Sequence, residues 1–429
     1  MTLEFWLPVG ILLSSFIPGV VIFALPEEKG KPRRILNLAG AVVKVALVSV
    51  LLWGISQGRT YEARIPMLPG LDLVLHASPL PILFVSLSAV LWLLTTIYAI
   101  GYLEDSPHRS RFFGFFSLCV SATTGVALAG NPLSFLLFYE MLSLVTWPLV
   151  VHRGTDEAHR AGKVYLAYTL GGGAVLMVGF AWLHALVGPV DFTERGVLAR
   201  VSPADHPTLA LIFTLMIAGL GVKTALVPLH GWLPRAMVAP APVSALLHAV
   251  AVVKAGAFGV VRVMYDIFGI EFAAALGLHR PLAFVAAVTV LYGSLCALAQ
   301  DDLKRRLAYS TVSQVSYIVL GVAPLGPLTT IGGVVHLVHQ ALMKITLFFC
   351  AGNLAETLGV HRVSEMGGVG RQMPFTMIAF SLAALGMIGV PPLAGFVTKW
   401  YLGAGALDAG YPWVLAVLLA STALNAAYF

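Results

Sequence analysis

The sequence predicts an all-α protein, a polytopic transmembrane bundle of about thirteen or fourteen helices. Three observations carry this expectation. Hydrophobic residues fill 59% of the 429 positions, and charged residues only 11%; soluble proteins carry about 25% charged residues. The mean hydropathy is +0.89. The apolar residues lie in runs of about 20, the length that crosses a bilayer. Such runs are too long for buried strands, whereas helices satisfy their own backbone in lipid. The period-two alternation of a membrane β-barrel is absent.

The segments follow in order, centred on 3–25, 35–56, 80–103, 112–130, 133–151, 164–189, 208–231, 240–268, 281–300, 305–322, 328–352, 374–405 and 411–429. The first has no positive region before it and no small-residue cleavage site after it. It therefore reads as a spanning helix rather than a signal peptide. The seventh and twelfth carry proline and glycine and read as interrupted helices. The last ends at Phe429 in apolar sequence, so the expectation is a truncated chain or one further helix.

The net charge is +6. In a soluble chain that excess would point to nucleic acid; here it sits in short loops and reads as a topology signal, with no nucleic-acid partner expected. Loops after odd segments hold Lys29, Lys31, Arg33, Arg34, Arg109, Arg111, Arg153, Arg160, Lys163, Arg235, Lys304, Arg305, Arg306, Arg362 and Arg371. Loops after even segments are balanced, as with Arg59 and Arg64 against Glu62 and Asp72. The positive-inside rule then places the amino terminus outside. Cys119, Cys296 and Cys350 stand far apart in apolar runs, without zinc or CxxC spacing, so neither disulfide nor metal is expected. A Rossmann glycine motif, an iron–sulfur cysteine set and a Walker loop are also missing, so no cofactor is expected and any redox chemistry belongs to partners.

Candidate functional residues come from the ionisable groups inside the segments. A charge at the bilayer centre costs at least ~2.5–3.5 kcal/mol, so it marks function by default. Glu140 lies mid-segment in Leu136-Leu-Phe-Tyr-Glu-Met-Leu142, too deep to reach water. Burial favours the neutral form and a nearby cation the charged one, so a carboxyl held between them can exchange a proton. Lys223 precedes Pro228, which removes a backbone donor and frees carbonyls to hold water or a cation. His230 would share its face if the helix continued. Lys254 is mid-segment, with His248 less than two turns before it. His336, Gln340 and Lys344 recur every four residues on one helix face, and His339 points toward a neighbouring face. Lys399 lies nearer a segment end, where snorkelling competes. Lys44 stands apart with no assigned role. A bis-histidine haem site would need facing histidines, and the neighbouring lysines would repel a ferric haem. A structural ion pair is the competing reading for Glu140.

An internal echo links two of these places. Val227-Pro-Leu-His-Gly-Trp232 resembles Pro391-Pro-Leu-Ala-Gly-Phe396, with Lys223 before the first and Lys399 after the second. Paired, broken helices in two halves point to transporter repeats with a site near the midplane.

The run from Lys223 through Pro228-Leu-His-Gly-Trp-Leu-Pro to His248 and Lys254 resembles the signature of the antiporter-like membrane subunits. These occur in respiratory complex I, in Mrp-type sodium/proton antiporters and in membrane-bound hydrogenases. Leu307-Ala-Tyr-Ser-Thr-Val-Ser-Gln, the His336-to-Lys344 run and Pro391-Pro-Leu-Ala-Gly-Phe-Val-Thr-Lys399 support the likeness, which covers most of the chain from the third segment onward. It implies two inverted five-helix repeats with helices seven and twelve broken. It implies Glu140 and Lys223 as the driving pair of one half-channel, Lys254 as the link, Lys399 in the other half, and His336 and Lys344 between. Two positions depart from the pattern: Gln340 stands where many members have a second histidine, with His339 beside it, and Arg235 where complex I members often have an acid. The pattern is most similar to the D-type Mrp subunit, or to a hydrogenase or complex I relative.

The expected organisation is three N-terminal helices over 1–103, a first inverted repeat over 104–268 and a second over 269–429. The expected function is proton translocation along buried Lys, Glu and His residues, as one subunit of a multisubunit complex. Other membrane subunits, lipid, protons and, as an open point, sodium are the partners, and the prokaryotic inner membrane is the location. The alternatives are a self-sufficient sodium/proton transporter and a non-transporting scaffold whose buried charges only pair helices.

Overall fold

Each apolar segment becomes helix, because a backbone in lipid has no water to pair with. The computed structural model describes residues 3–68, 70–104, 106–198 and 201–429. In chain order the helices are α1 (Leu3–Phe23), α2 (Gly30–Ser56), α3 (Pro79–Tyr102), α4 (Arg109–Leu128), α5 (Pro132–Val150) and α6 (Asp156–Val187). There follow α7 (His206–Thr224), α8 (Trp232–Arg235), α9 (Ala241–Ala249), α10 (Val252–Arg262), α11 (Ile270–Ala275) and α12 (His279–Leu298). The chain ends with α13 (Leu303–Val322), α14 (Pro327–Leu358), α15 (Val369–Gln372), α16 (Pro374–Ile388), α17 (Ala394–Asp408) and α18 (Pro412–Tyr428). Among the described residues, 10 helices are long and apolar enough to cross a membrane. This is an integral, multi-pass, all-α membrane protein.

Local sequence sets the helix starts. Pro132 and Pro327 occupy first-turn positions, where a missing N–H costs nothing. Asn131 Oδ1 accepts from Ser134 N at 2.8 Å and caps α5, and Asp302 Oδ1 accepts from Arg305 N at 2.7 Å and caps α13.

Three features differ from the sequence expectation. Segment 240–268 is not one helix, since α9 stops at Ala249 and α10 starts at Val252. His248 and Lys254 therefore stand on separate helices. Segment 208–231 ends as helix at Thr224, so His230 does not continue the face of Lys223. Between α2 and α3, where a loop was expected, an antiparallel hairpin pairs β1 (Tyr61–Leu68) with β2 (Leu71–Ala77). Val74 N donates to Ser134 Oγ at 2.7 Å, which ties the hairpin to the start of α5.

The bundle has two chemically distinct ends. At one, Arg33 donates to Ser110 Oγ at 2.7 Å, and Arg111 donates to His152 O at 3.1 Å. Lys304 donates to Ala239 O at 2.6 Å, and Ser364 donates to Asp301 at 2.8 Å. At the other end lies the hairpin, where Arg64 binds Asp191 at 2.6 Å and Asp72 at 3.2 Å. Burial locates the core: α9 and α10 are buried along their whole length, whereas α1 and α2 expose large apolar side chains such as Phe16 and Trp53.

Candidate functional site

The two interrupted helices end in the same way. In α7 Ala225 takes a left-handed conformation (φ +60°), with Leu226 N donating to Gly221 O at 2.9 Å and Ala225 N to Val222 O at 3.1 Å. In α16 Gly389 is left-handed (φ +91°), with Val390 N donating to Leu385 O at 3.1 Å. This six-to-one closure satisfies carbonyls that a broken helix would leave orphaned in lipid. Trp232 Nε1 adds a bond to Val222 O at 2.7 Å. The peptide bonds Val227–Pro228 and Pro391–Pro392 are both cis. The sequence echo is thus an echo of backbone structure.

Lys223 occupies the last turn of α7 and is fully buried. Its Nζ donates to the carbonyl of Tyr139 on α5 and lies 3.3 Å from the centre of the Tyr139 ring. Glu140 is the next residue along α5. Its carboxyl lies against α6, where a Cβ on Gly173 would meet Oε1 at 1.8 Å. Glu140 and Lys223 make no contact ion pair among the described residues, yet they lie within Coulombic reach. Glu140 Oε1 is buried with no hydrogen-bond partner among the described residues. One turn from Glu140, Leu136 lines a cavity of about 520 Å³ that also meets Met177, Phe180, His184, Asp72 and Asp191 beside the hairpin.

From Lys223 the polar groups continue through the core. Gly256 lets α10 approach α7 until a Cβ there would meet Thr224 N at 2.4 Å. Lys254 lies two residues before this crossing, about 200° round α10 at 100° per residue, and so faces away from α7. Lys254 is fully buried, and its Nζ has no partner among the described residues. It lies within Coulombic reach of His336 and Lys344. His336, Gln340 and Lys344 are all buried on one face of α14, as their spacing requires. Lys344 Nζ binds Ser310 Oγ and donates to Leu307 O at 3.0 Å, both on α13. His248 stacks on Phe348 at 4.6 Å. Both ring nitrogens of His248 and of His336, and both amide atoms of Gln340 and Gln314, lack partners among the described residues.

The second break has its own cluster. Lys399 does not snorkel: its Nζ turns back to Ile388 O at 2.6 Å and Thr422 Oγ1 at 2.8 Å. It also lies 5.8 Å from the Tyr317 ring, whose other neighbour is His336 at 5.4 Å. His339 Nδ1 meets Thr398 Oγ1 at 2.8 Å, which ties α14 to α17 and leaves it beside the line rather than in it. His230 is half-buried between the Tyr292 and Tyr309 rings, at 5.0 and 6.3 Å, away from Lys223.

Sequence reasoning missed several neighbours of these groups. Tyr139, Gly173, Ser310, Gln314, Tyr317 and Thr422 each touch or face one of the candidates. The signal available was the run Gly171-Gly-Gly173 inside a long helix, a place for close approach.

A helical membrane bundle with two broken helices and a buried line of amines, imidazoles and one carboxyl is the architecture of an antiporter-like subunit. The chain belongs to the family described as NADH:quinone oxidoreductase/Mrp antiporter, TM, whose model matches residues 129–425. It is 38% identical over 391 residues to NADH-quinone oxidoreductase subunit N of Desulforudis audaxviator, covering 90% of this chain and 76% of that one. It is 32% identical to Hydrogenase-4 component B of Escherichia coli, covering 91% of this chain and 59% of the relative. Its fold matches a chain of the Mrp complex from Dietzia with a TM-score of 0.87 at 25% identity, over 99% of this chain and 78% of that chain.

Proposed function

We propose that this chain moves protons across the membrane as one subunit of a larger membrane complex, with Glu140, Lys223, Lys254, His248, His336, Lys344 and Lys399 holding the protons in turn. The observation that supports this most strongly is the set of buried or half-buried ionisable groups that occupies the core between the two helix breaks. Each costs ~2.5–3.5 kcal/mol or more to place in a bilayer, which a purely structural role rarely repays. Buried polar atoms demand partners, and waters bridging polar cavities supply them. Such waters would join the unpartnered atoms of Glu140, Lys254, His336 and Gln340 into a proton path.

Charge coupling gives the mechanism its order. A proton arriving at Glu140 removes the anion that stabilises ammonium at Lys223. Lys223 then releases its proton toward Lys254, and the positive charge there repels the next proton along α14 toward Lys399. Gln340, which has no titratable group, passes protons only through water. His230 and His339 flank this route and serve as side stations near the two breaks. Division of the chain into helices over 1–103, a repeat over 104–268 and an inverted repeat over 269–429 agrees with the matched ends of α7 and α16. The subunits, electron donors and cations named for the relatives, sodium among them, come to this chain as part of the same proposal, as does its place in a prokaryotic inner membrane.

The test is proton pumping in membrane vesicles that carry the parent complex. Lys223→Ala and Glu140→Ala are each expected to lower pumping at least about tenfold, the effect of about 1.4 kcal/mol on a barrier, with assembly intact. Unchanged pumping in both would sink the pair and shift the site to Lys254 and the α14 histidines. Transport by the purified chain alone in liposomes would instead make it a self-sufficient sodium/proton carrier.

A further inference from the structure

Lys44 lies outside the line just described, in the N-terminal helices, and nothing in the proton path uses it. It is fully buried and makes no ion pair among the described residues. Its Nζ donates to Ser15 Oγ on α1 at 2.9 Å and to Thr124 Oγ1 on α4 at 2.5 Å. The ring of Trp92 on α3 lies 5.3 Å away. Ser15 donates its own proton to Leu12 O at 3.3 Å, and Thr124 donates to Val120 O at 2.8 Å. Both hydroxyls are therefore left as acceptors, and Lys44 must be the donor. Two N–H bonds satisfy them, and ammonium and amine both supply two. The third position on nitrogen, a proton or a lone pair, is free to change without breaking either bond.

Polar groups extend from Lys44 toward one end of the bundle only. On the same buried face of α2, Asn37 accepts from Ser117 Oγ at 3.1 Å. Its Nδ2 has no partner among the described residues. One turn before Asn37, and three before Lys44, Arg33 donates to Ser110 Oγ at 2.7 Å. It also faces Glu27, whose side chain is 43% exposed, so this end of the column reaches water. In the other direction the buried face of α2 continues with Val48 and Leu51, which are apolar. The polar residues on the buried face of α2 thus lie on the Arg33 side of Lys44, with Gly40 and Ala41 between Asn37 and Lys44.

The helix that closes the column also faces the main site. Thr124 holds Lys44 on one side of α4. Cys119, five residues earlier, sits about 140° round the same helix at 100° per residue. Its Sγ lies 3.3 Å from Thr146 Oγ1 and within Coulombic reach of Lys223. Helix α4 thus stands between the two lysines, and buried charges are screened much less by salt than exposed ones.

We propose that Lys44 is a second proton-binding site, reached by water from the Arg33 end through the Asn37 column and set back to back with Lys223 across α4. A water in the column gives its proton to the lone pair of Nζ, and the ammonium returns that proton to the same column. No proton crosses the membrane there. The positive charge made at Lys44 opposes the charge on Lys223 and hastens release of its proton. This rests on the proton-transport reading, and it adds a control point that the relay itself lacks.

The test uses the assembled complex in vesicles of known sidedness, with Cys119, Cys296 and Cys350 replaced by serine. Asn37→Cys, Lys44→Cys and Val48→Cys are treated with a small, charged, membrane-impermeant thiol reagent. Asn37→Cys and Lys44→Cys are expected to react from the Arg33 end only, and Val48→Cys from neither. In the native-cysteine protein, Lys44→Met is expected to slow proton pumping severalfold with assembly unchanged. If Lys44→Met fails to assemble, Thr124→Val, which removes one acceptor, is measured in its place. Absence of labelling at both 37 and 44 overturns the proposal, and so does full pumping by Lys44→Met. Lys223→Ala is run alongside. Its failure to reduce pumping would overturn the transport reading, whereas its success with a silent Lys44→Met overturns only this one.

Discussion

His152 caps the basic end of the bundle, and its environment makes a pH dependence. It follows α5 in a turn, is almost fully buried and packs edge-on to Phe112 at 5.1 Å. Burial first, and then the nearby charge of Arg111, lower its pKa from 6.5 to about 4. The folded state therefore binds fewer protons than the unfolded chain between those values, and stability rises with pH there. The contribution of His152 is complete above pH 6.5 and is lost as pH falls toward about 4. Replacing it with asparagine should flatten the fall of the thermal midpoint over that window in detergent, and an unchanged acid limb would refute the assignment. At this scale the sequence was informative where a charge interrupted apolar residues. Glu140, Lys223, Lys254 and Lys344 stood out because lipid penalises them. Tyr139 and Gly173 did not, because an aromatic or a glycine in a membrane helix is ordinary until the residue it touches is known.

Helix crossings decide how those residues meet. Gly256 is the point where α10 touches α7, and a Cβ there would meet backbone and side-chain atoms of Thr224 at 2.4 and 2.7 Å. Backbone cannot swing aside as a flexible side chain can. Gly256→Ala should therefore cost about 1–3 kcal/mol, as overpacking does, and push α10 away from α7. Gly171 on α6 is the control, since a Cβ there meets nothing within 4 Å. Gly171→Ala should be neutral or stabilise by about 0.5–1 kcal/mol. Thermal unfolding of the two variants checks both, and equal effects would show that the crossing is not tight. Element boundaries were legible where proline and glycine mark them, as at Pro228 and Pro391. The gap between α9 and α10 was not, since Ala249-Val-Ala251 carries no breaker and only packing against neighbouring helices opens it. The hairpin was overlooked for a different reason. Its alternation, with Tyr61 and Ala63 inward and Glu62 and Arg64 outward, spans too few residues to compete with the long apolar runs around it.

For the whole molecule the open quantity is direction. Hydrogen bonds gather the loops that follow α1, α3 and α5 at one end, through Arg33 to Ser110 and Arg111 to His152. The hairpin and the α6–α7 connection meet at the other, through Arg64 to Asp191. The grouping by loop parity that charge counting implied is therefore built into the contacts. By the positive-inside rule, the excess of lysine and arginine at the first end predicts that this end faces the cytoplasm. The expected arrangement has Lys31 inside and the hairpin, with the amino terminus, outside. Single cysteines at Lys31 and at Met67, both exposed, report it directly. In intact cells an impermeant maleimide should label Met67→Cys and spare Lys31→Cys, and in inverted vesicles the pattern should reverse. The opposite result would invert the bundle. It would also turn the Asn37 column and the mouth of the Lys44 site to the outer face, so that Lys44 would take its proton from outside.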